Sequence, residues 1–133
     1  MAVELTRQSL ELGIVTENPD AMVAFYRDTL GFEFERSWDM PSGGTMYRLK
    51  LGDNIIKILK MQNTPPATAP GGGVAGATGY RYWTIFVADM EKALSDVEKD
   101  GHTVVMPPTD IGPGVRMSFV ADPDGNWLEL VGK

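Results

Sequence analysis

The chain has 133 residues, a net charge of −6 and a pI of about 4.7, with 43% hydrophobic and 23% charged residues. This is the composition of one globular domain, and so acidic a chain lacks the basic face that binding to a nucleic-acid backbone requires. The absence of cysteine excludes disulfides, thiolate metal sites and cysteine nucleophiles.

The sequence also bears on location and metal chemistry. No apolar run approaches the ~20 residues of a membrane span, and residues 1–8 lack the apolar core of a signal peptide. We therefore expect a cytoplasmic protein that binds neither nucleic acid nor membrane. His102 is the only histidine, it follows the glycine at a predicted helix end, and it has no partner histidine at ligand spacing. We expect it to be an exposed surface residue.

The first half of the chain predicts one strand, one helix and three further strands. Residues 9–16 alternate as a strand that turns Glu11, Gly13 and Val15 to one face. Asn18 is predicted to cap a helix that begins at Pro19, extends to about residue 30 and is closed by a glycine. Further strands are predicted at about residues 32–38, 45–51 and 54–60.

Residues 61–79 are dominated by Gly, Pro, Ala and Thr. Such a composition is typical of a connecting segment without regular structure. We predict a linker or mobile flap between two halves of the chain.

The pattern then repeats. Residues 80–88 alternate as a strand with Tyr82, Thr84 and Phe86 on one face, and Asp89 is predicted to cap a helix to about residue 100. Strands are predicted at about residues 103–106, 115–120 and 127–131. The halves register at an offset of about 70 residues, so we predict one α+β domain, residues 1–133, built from two tandem βαβββ modules at about residues 9–60 and 80–131. Their curved mixed sheets would carry the helices on the convex side and leave a concave cavity.

Two motifs carry a family resemblance. Residues 24–32 (AFYRDTLGF) and 122–130 (DPDGNWLEL) resemble the vicinal oxygen chelate superfamily, which includes glyoxalases, bleomycin-resistance proteins and dioxygenases. The resemblance implies a glyoxalase-like fold, usually dimeric, with four inward positions on the first and last strands of the two modules. Carried onto this chain, these positions are Glu11, Lys57, Tyr82 and Glu129. In metal-dependent members they are usually His or Gln, Glu, His and Glu.

The residues at these positions disfavour a metal cofactor. Glu129 fits the pattern, and Glu11 is an unusual oxygen ligand. Lys57 does not fit, since a charged lysine has no acceptor and repels a divalent cation. Neutral Tyr82 is a poor ligand. We therefore expect no bound metal.

Three functional hypotheses remain open. The first is a metal-independent enzyme that performs proton-transfer isomerisation, epimerisation or a lyase step on a carbonyl-containing metabolite. Lys57 would polarise the carbonyl, Tyr82 would donate a hydrogen bond or proton, and Glu11 or Glu129 would act as the base with a pKa raised by burial.

The second hypothesis is a non-catalytic protein that sequesters an aromatic or cationic drug or metabolite, as bleomycin-resistance proteins do. The aromatic residues Tyr82, Phe86 and Trp127, all predicted to point inward, suit such a ligand. The third is that Glu11, Lys57 and Glu129 form only an ion-pair cluster in place of a lost metal.

Two arginines and the oligomeric state complete the expectations. If Leu49 packs on the first helix, Arg48 points into the cavity, where it would bind a substrate carboxylate. If Phe119 packs outward, Arg116 points inward for the same task; otherwise both arginines are exposed. Open sheet edges predict a homodimer, with the cavity formed either within one chain or between two.

Overall fold

A computed structural model describes residues 2–133; Met1, the first residue of the predicted domain, lies outside the described residues. The first module contains β1 (Glu11–Val15), α1 (Pro19–Ala24) with a π-helical extension (Phe25–Thr29), β2 (Glu33–Asp39), β3 (Thr45–Leu51) and β4 (Asn54–Lys60). The second contains β5 (Tyr82–Val87), α2 (Met90–Lys99), β6 (Thr103–Gly112), β7 (Val115–Ala121) and β8 (Trp127–Gly132). A short 3₁₀ helix (Gly73–Ala75) lies between them.

The sheets repeat the same topology. Their strand orders are β1-β4-β3-β2 and β5-β8-β7-β6. The first and last strands of each module pair in parallel, and all other pairs are antiparallel. The predicted α+β fold with two βαβββ units is confirmed. Because β1 lies beside β4 and β5 beside β8, side chains from both ends of a module share one face.

One hydrophobic cluster covers the helix-side faces of both sheets. Sheet and helix residues from both modules belong to it: Leu49, Ile56, Ile58, Val120, Leu128 and Leu130 from the strands, and Met22, Phe25, Tyr26, Met90, Leu94 and Val97 from the helices. Burying each of these side chains stabilises the fold by about 1.5–3 kcal/mol. The opposite face of each sheet therefore turns away from this core.

The two helix starts differ from each other. The Asp89 carboxylate accepts a hydrogen bond from the Lys92 N–H at 3.1 Å and caps α2, as predicted. The prediction that Asn18 caps α1 is wrong, since its side chain makes no such bond. Its own N–H donates to the Thr16 hydroxyl at 2.9 Å, and its amide turns toward Asp124 of the other module at 3.4 Å.

The two family motifs meet in the core. The Tyr26 hydroxyl donates to the Asp122 carboxylate at 2.7 Å, and Asp122 is only 4% exposed. The same carboxylate accepts the N–H groups of Asp124 and Asn126, both at 2.9 Å, and so shapes the turn before β8. Burial raises the pKa of Asp122 although these hydrogen bonds oppose the shift. Burial and Asp122 also raise the pKa of Tyr26.

His102 is not the exposed residue that the sequence predicts. It is half-buried, and its ring packs edge-on against Phe25 with 4.8 Å between ring centroids. This contact joins the helical segment of the first module to the second module. Within residues 2–133, no helix is long and apolar enough to cross a membrane.

Candidate functional site

The open face of the first sheet carries a charged cluster centred on Glu11. Lys57 is the direct neighbour of Gly13 on β1 and of Arg48 on β3, which places it on the same face as Glu11. The Glu11 Oε1 atom lies 3.2 Å from Lys57 Nζ and 3.1 Å from Arg48 Nη1, and Arg7 bonds the other carboxylate oxygen. We call this face, with Glu11, Arg48 and Lys57, the cationic face.

The cluster favours the ionised form of Glu11. Hydrogen bonds from Arg7 and then Lys57 lower the pKa of Glu11 from its ordinary 4.5 to about 2, with further attraction from Arg48. The prediction that burial raises this pKa is wrong, because the three cations outweigh the partial loss of solvent. A carboxylate with so low a pKa is a poor general base near neutral pH. It serves instead to hold Arg48 and Lys57 in place.

The open face of the second sheet carries one carboxylate among aromatic rings. Glu129 Oε1 accepts a hydrogen bond from the Thr84 hydroxyl at 2.7 Å. Tyr82 is the cross-strand neighbour of Trp127, and Phe119 is the neighbour of Glu129. Phe119 lies 5.1 Å, between ring centroids, from both Tyr82 and Trp127. We call this face, with Tyr82, Phe119, Trp127 and Glu129, the aromatic face.

Phe86 lies on the same side of β5 as Tyr82, by strand alternation, and is 81% exposed. It therefore belongs to the open side of the second sheet, near its edge, where no described residue covers it. Arg48 likewise has the predicted orientation, since Leu49 is fully buried on the helix side of β3. Arg48 also bonds Glu35 on β2 at 3.2 Å, so its guanidinium lies between two carboxylates.

The predicted orientation of β7 is wrong. Phe119 faces Tyr82 and Trp127 instead of α2, while Arg116 lies on the helix side and bonds the Glu91 carboxylate of α2 at 2.5 and 2.7 Å. Arg116 therefore does not share the aromatic face. Hydrogen bonding across the turn before β8 sets this register, because Ala121 pairs with Trp127 and hence Phe119 with Glu129. The sequence does contain a signal for Phe119. If the turn pairs Ala121 with Trp127, then two residues further along each strand Phe119 lies opposite Glu129 and shares its face.

The four positions expected to share one cavity lie on the open faces of two different sheets. Glu11 and Lys57 are in direct contact, and Tyr82 and Glu129 share the aromatic face. Within residues 2–133, no hydrogen bond, ion pair or aromatic contact connects the first pair with the second. Each sheet therefore carries two of the four predicted positions, and a cavity shared by all four stays a prediction.

The donors on these faces do not fit a divalent metal ion. In the part of the chain that the structure describes, no three His, Asp or Glu side chains come close enough to hold one. Both Glu11 carboxylate oxygens already bind cationic side chains, and the Lys57 side chain ends in a positively charged ammonium group. The positive charges of Arg7, Arg48 and Lys57 would repel a divalent cation placed here.

Residues 8–130 match the profile of the Glyoxalase/Bleomycin resistance protein/Dioxygenase superfamily, and the chain belongs to this family. The protein CFP32 of Mycobacterium tuberculosis, named as a candidate glyoxylase, is 30% identical over 119 residues, which are 86% of this chain and 41% of that protein. The chain thus spans less than half the length of this relative.

Solved structures show the same fold. A glyoxalase family protein from Enterococcus faecalis superposes with a TM-score of 0.67 and 27% identity, covering 96% of both chains. One from Bacillus cereus gives 0.82 at 19% identity, covering 98% of this chain and 95% of that one. The trypanothione-dependent glyoxalase I of Leishmania major gives 0.72 at 24%, covering 96% and 87%.

Proposed function

We propose that this protein is a metal-independent, glyoxalase-like enzyme that performs a proton-transfer isomerisation, epimerisation or lyase step on a carbonyl-containing metabolite. The observation that supports the proposal is the cationic face, where Glu11 pairs with Lys57 and Arg48. Glu11 and Lys57 are two of the residues that the family resemblance assigns to metal-ligand positions. Cations fixed in this way stabilise negative charge that develops on a carbonyl oxygen when the adjacent carbon loses a proton. The substrate would be a small molecule.

Glu129 is the proposed base. Its carboxylate bonds one hydroxyl, that of Thr84, and no ion pair within residues 2–133 engages it, whereas Glu11 bonds three cations. Tyr82 lies on the same face, 47% exposed, and would donate a hydrogen bond or proton to the substrate. The exposed ring of Tyr82 would also contact the substrate's apolar part.

We also propose a homodimer in which the cationic face of one chain meets the aromatic face of its partner and so brings the four positions into one site. β1 and β5 are edge strands, and each has a strand partner on one side only. Both expose apolar side chains, Val15 at 51% and Phe86 at 81%. A second copy would cover these side chains and complete the site.

The experiment is hydrogen exchange into small carbonyl compounds. Protein treated with a chelator is incubated in D₂O with a panel of 2-oxo acids, aldehydes and thiol hemithioacetals, and NMR follows loss of the proton next to the carbonyl. We expect exchange that survives chelation and falls about 10²–10⁴-fold in Glu129→Gln, the usual loss when a general base is removed. Exchange that stops on chelation and returns with added metal would contradict the proposal.

A non-catalytic binding protein is the second candidate, favoured by one observation. Three aromatic rings, those of Tyr82, Phe119 and Trp127, pack together on the face that carries Glu129. Such a site suits an aromatic or cationic ligand. In this case ligands of that class would raise the melting temperature without turnover, and Lys57→Met would leave their binding unchanged.

A further inference from the structure

The segment between the modules packs on the aromatic face. Residues 70–76 (PGGGVAG) contain the 3₁₀ helix Gly73–Ala75, and Gly73 is buried. A Cβ atom added to Gly73 would lie 2.1 Å from the Trp127 indole, far inside van der Waals contact. Gly73 also has φ +52°, a conformation that L side chains rarely adopt. Glycine therefore permits the backbone to approach the Trp127 ring this closely.

Arg81 fastens this segment. Its Nε donates to the Gly73 carbonyl at 2.7 Å, and its Nη2 donates to the carbonyls of Pro70 and Gly71 at 2.8 and 3.1 Å. The planar guanidinium fork presents several donors in fixed directions, which a lysine ammonium cannot reproduce. Arg81 immediately precedes Tyr82 of β5, so it ties the segment to the strand that borders Trp127.

The glycines serve close packing at a second point. A Cβ on Gly76 would lie 1.7 Å from the Gly71 carbonyl oxygen, so the two ends of the turn touch. Near the start of the linker, residues 61–79, the Thr64 hydroxyl donates a hydrogen bond to the Glu17 carboxylate at 2.6 Å. A composition that predicts a linker or mobile flap thus builds a compact turn that Arg81 bonds to the second module, while Thr64 bonds the start of the linker to the first module.

We propose that Arg81 is a positioning residue that holds residues 70–76 as a wall over Trp127 and thereby limits the size of the ligand that reaches Glu129. The role in ligand choice rests on the proposed function, whereas the wall itself does not. With the wall in place, the ligand has access to the exposed Tyr82 side of the aromatic face. Ligands large enough to stack on Trp127 must displace the wall.

The test measures the exposure of Trp127 directly. The three tryptophans are replaced by 5-fluorotryptophan, and the ¹⁹F resonance of Trp127 is assigned by its loss in Trp127→Phe. Its change in shift between H₂O and D₂O reports contact with solvent. We expect a small change in the wild type and a larger one, toward that of the free amino acid, in Arg81→Ala and in Gly73→Ala. The resonances of Trp38 and Trp83 should not move.

Two variants serve as controls. Gly79 lies in the same connection with φ +96° and has no atom within 4 Å of an added Cβ, so Gly79→Ala imposes the backbone strain without the clash. It should leave Trp127 covered. Arg81→Lys restores the charge with fewer of the three bonds and should give intermediate exposure. Equal exposure of Trp127 in folded Arg81→Ala and wild type would overturn the proposal, whatever Gly73→Ala does.

The size limit has its own readout, with 8-anilinonaphthalene-1-sulfonate as a bulky aromatic probe. We expect Arg81→Ala to bind it more tightly than the wild type, while Gly79→Ala binds it as the wild type does. Unchanged binding in an Arg81→Ala variant that exposes Trp127 would refute the size limit. Neither measurement needs a substrate, so failure here is distinguishable from failure of the proposed reaction.

Discussion

Glu11 is a carboxylate that three cationic side chains bind at once. Removing its charge in Glu11→Gln leaves Arg7, Arg48 and Lys57 to repel one another, so we expect a loss of stability near neutral pH. The folded pKa of about 2 lies below the ordinary 4.5. The stabilisation is therefore fully present above pH ~4.5 and disappears as the pH falls toward ~2.

Urea unfolding of wild type and Glu11→Gln at a series of pH values measures this difference. The gap in free energy of unfolding should be largest above pH ~4.5, shrink on acidification and decrease with added salt. A gap that does not change between pH 7 and 3 would show that the cations do not hold Glu11 ionised.

Single residues also mark where prediction from sequence succeeds. Alternation along a strand placed Glu11 and Glu129 on open faces, since apolar neighbours such as Leu128 and Leu130 had to enter the core. The family resemblance supplied Lys57. Alternation gave no pKa, because the shift at Glu11 depends on Arg7 from outside the strands. Composition likewise could not reveal that Gly73 lies against Trp127.

At the level of elements, β3 and β7 show what decides a strand's orientation. Leu49 alone identifies the buried side of β3. In β7, both sides contain bulky apolar residues, Phe119 on one and Val120 on the other, and both are buried. Periodicity cannot choose between two apolar sides. The pairing across the turn before β8 makes the choice, and it turns Arg116 toward α2.

The contact between α1 and the turn before β8 supports a prediction at the same scale. Tyr26→Phe removes the hydroxyl that bonds Asp122 and leaves a buried carboxylate oxygen with one partner fewer. We expect a loss of about 1–3 kcal/mol in free energy of unfolding. Chemical denaturation measures it.

Tyr47→Phe is the matched control, because the half-buried Tyr47 also packs against the core but its hydroxyl has no hydrogen-bond partner within residues 2–133. It should change stability by less than about 0.5 kcal/mol. If both variants lose equally, the Tyr26–Asp122 bond does not hold the modules together.

For the whole molecule, the internal repeat made the fold predictable, and the family profile confirms it over residues 8–130. The relation between the two open faces was not predictable. It depends on which faces share the core, and one hydrophobic cluster joins both helix-side faces. Each module has its own periodicity, but periodicity does not describe how the modules pack on each other.

The division of the site suggests a complementation experiment at this scale. In a homodimer whose sites form between chains, Lys57→Met and Glu129→Gln disable different halves of each site. A heterodimer of the two variants then has one site with both substitutions and one intact site. If each site formed within one chain, every site in the mixture would carry a substitution.

The most direct measurement is therefore proton exchange by a refolded mixture of Lys57→Met and Glu129→Gln, with chelator present. Each variant alone should be inactive, and the equal mixture should recover about a quarter of wild-type activity, since half of the dimers are mixed and each has one intact site. Recovery at this level would support a metal-independent site built from the cationic face of one chain and the aromatic face of another. A mixture as inactive as its components, with heterodimers demonstrated by mass spectrometry, would contradict it.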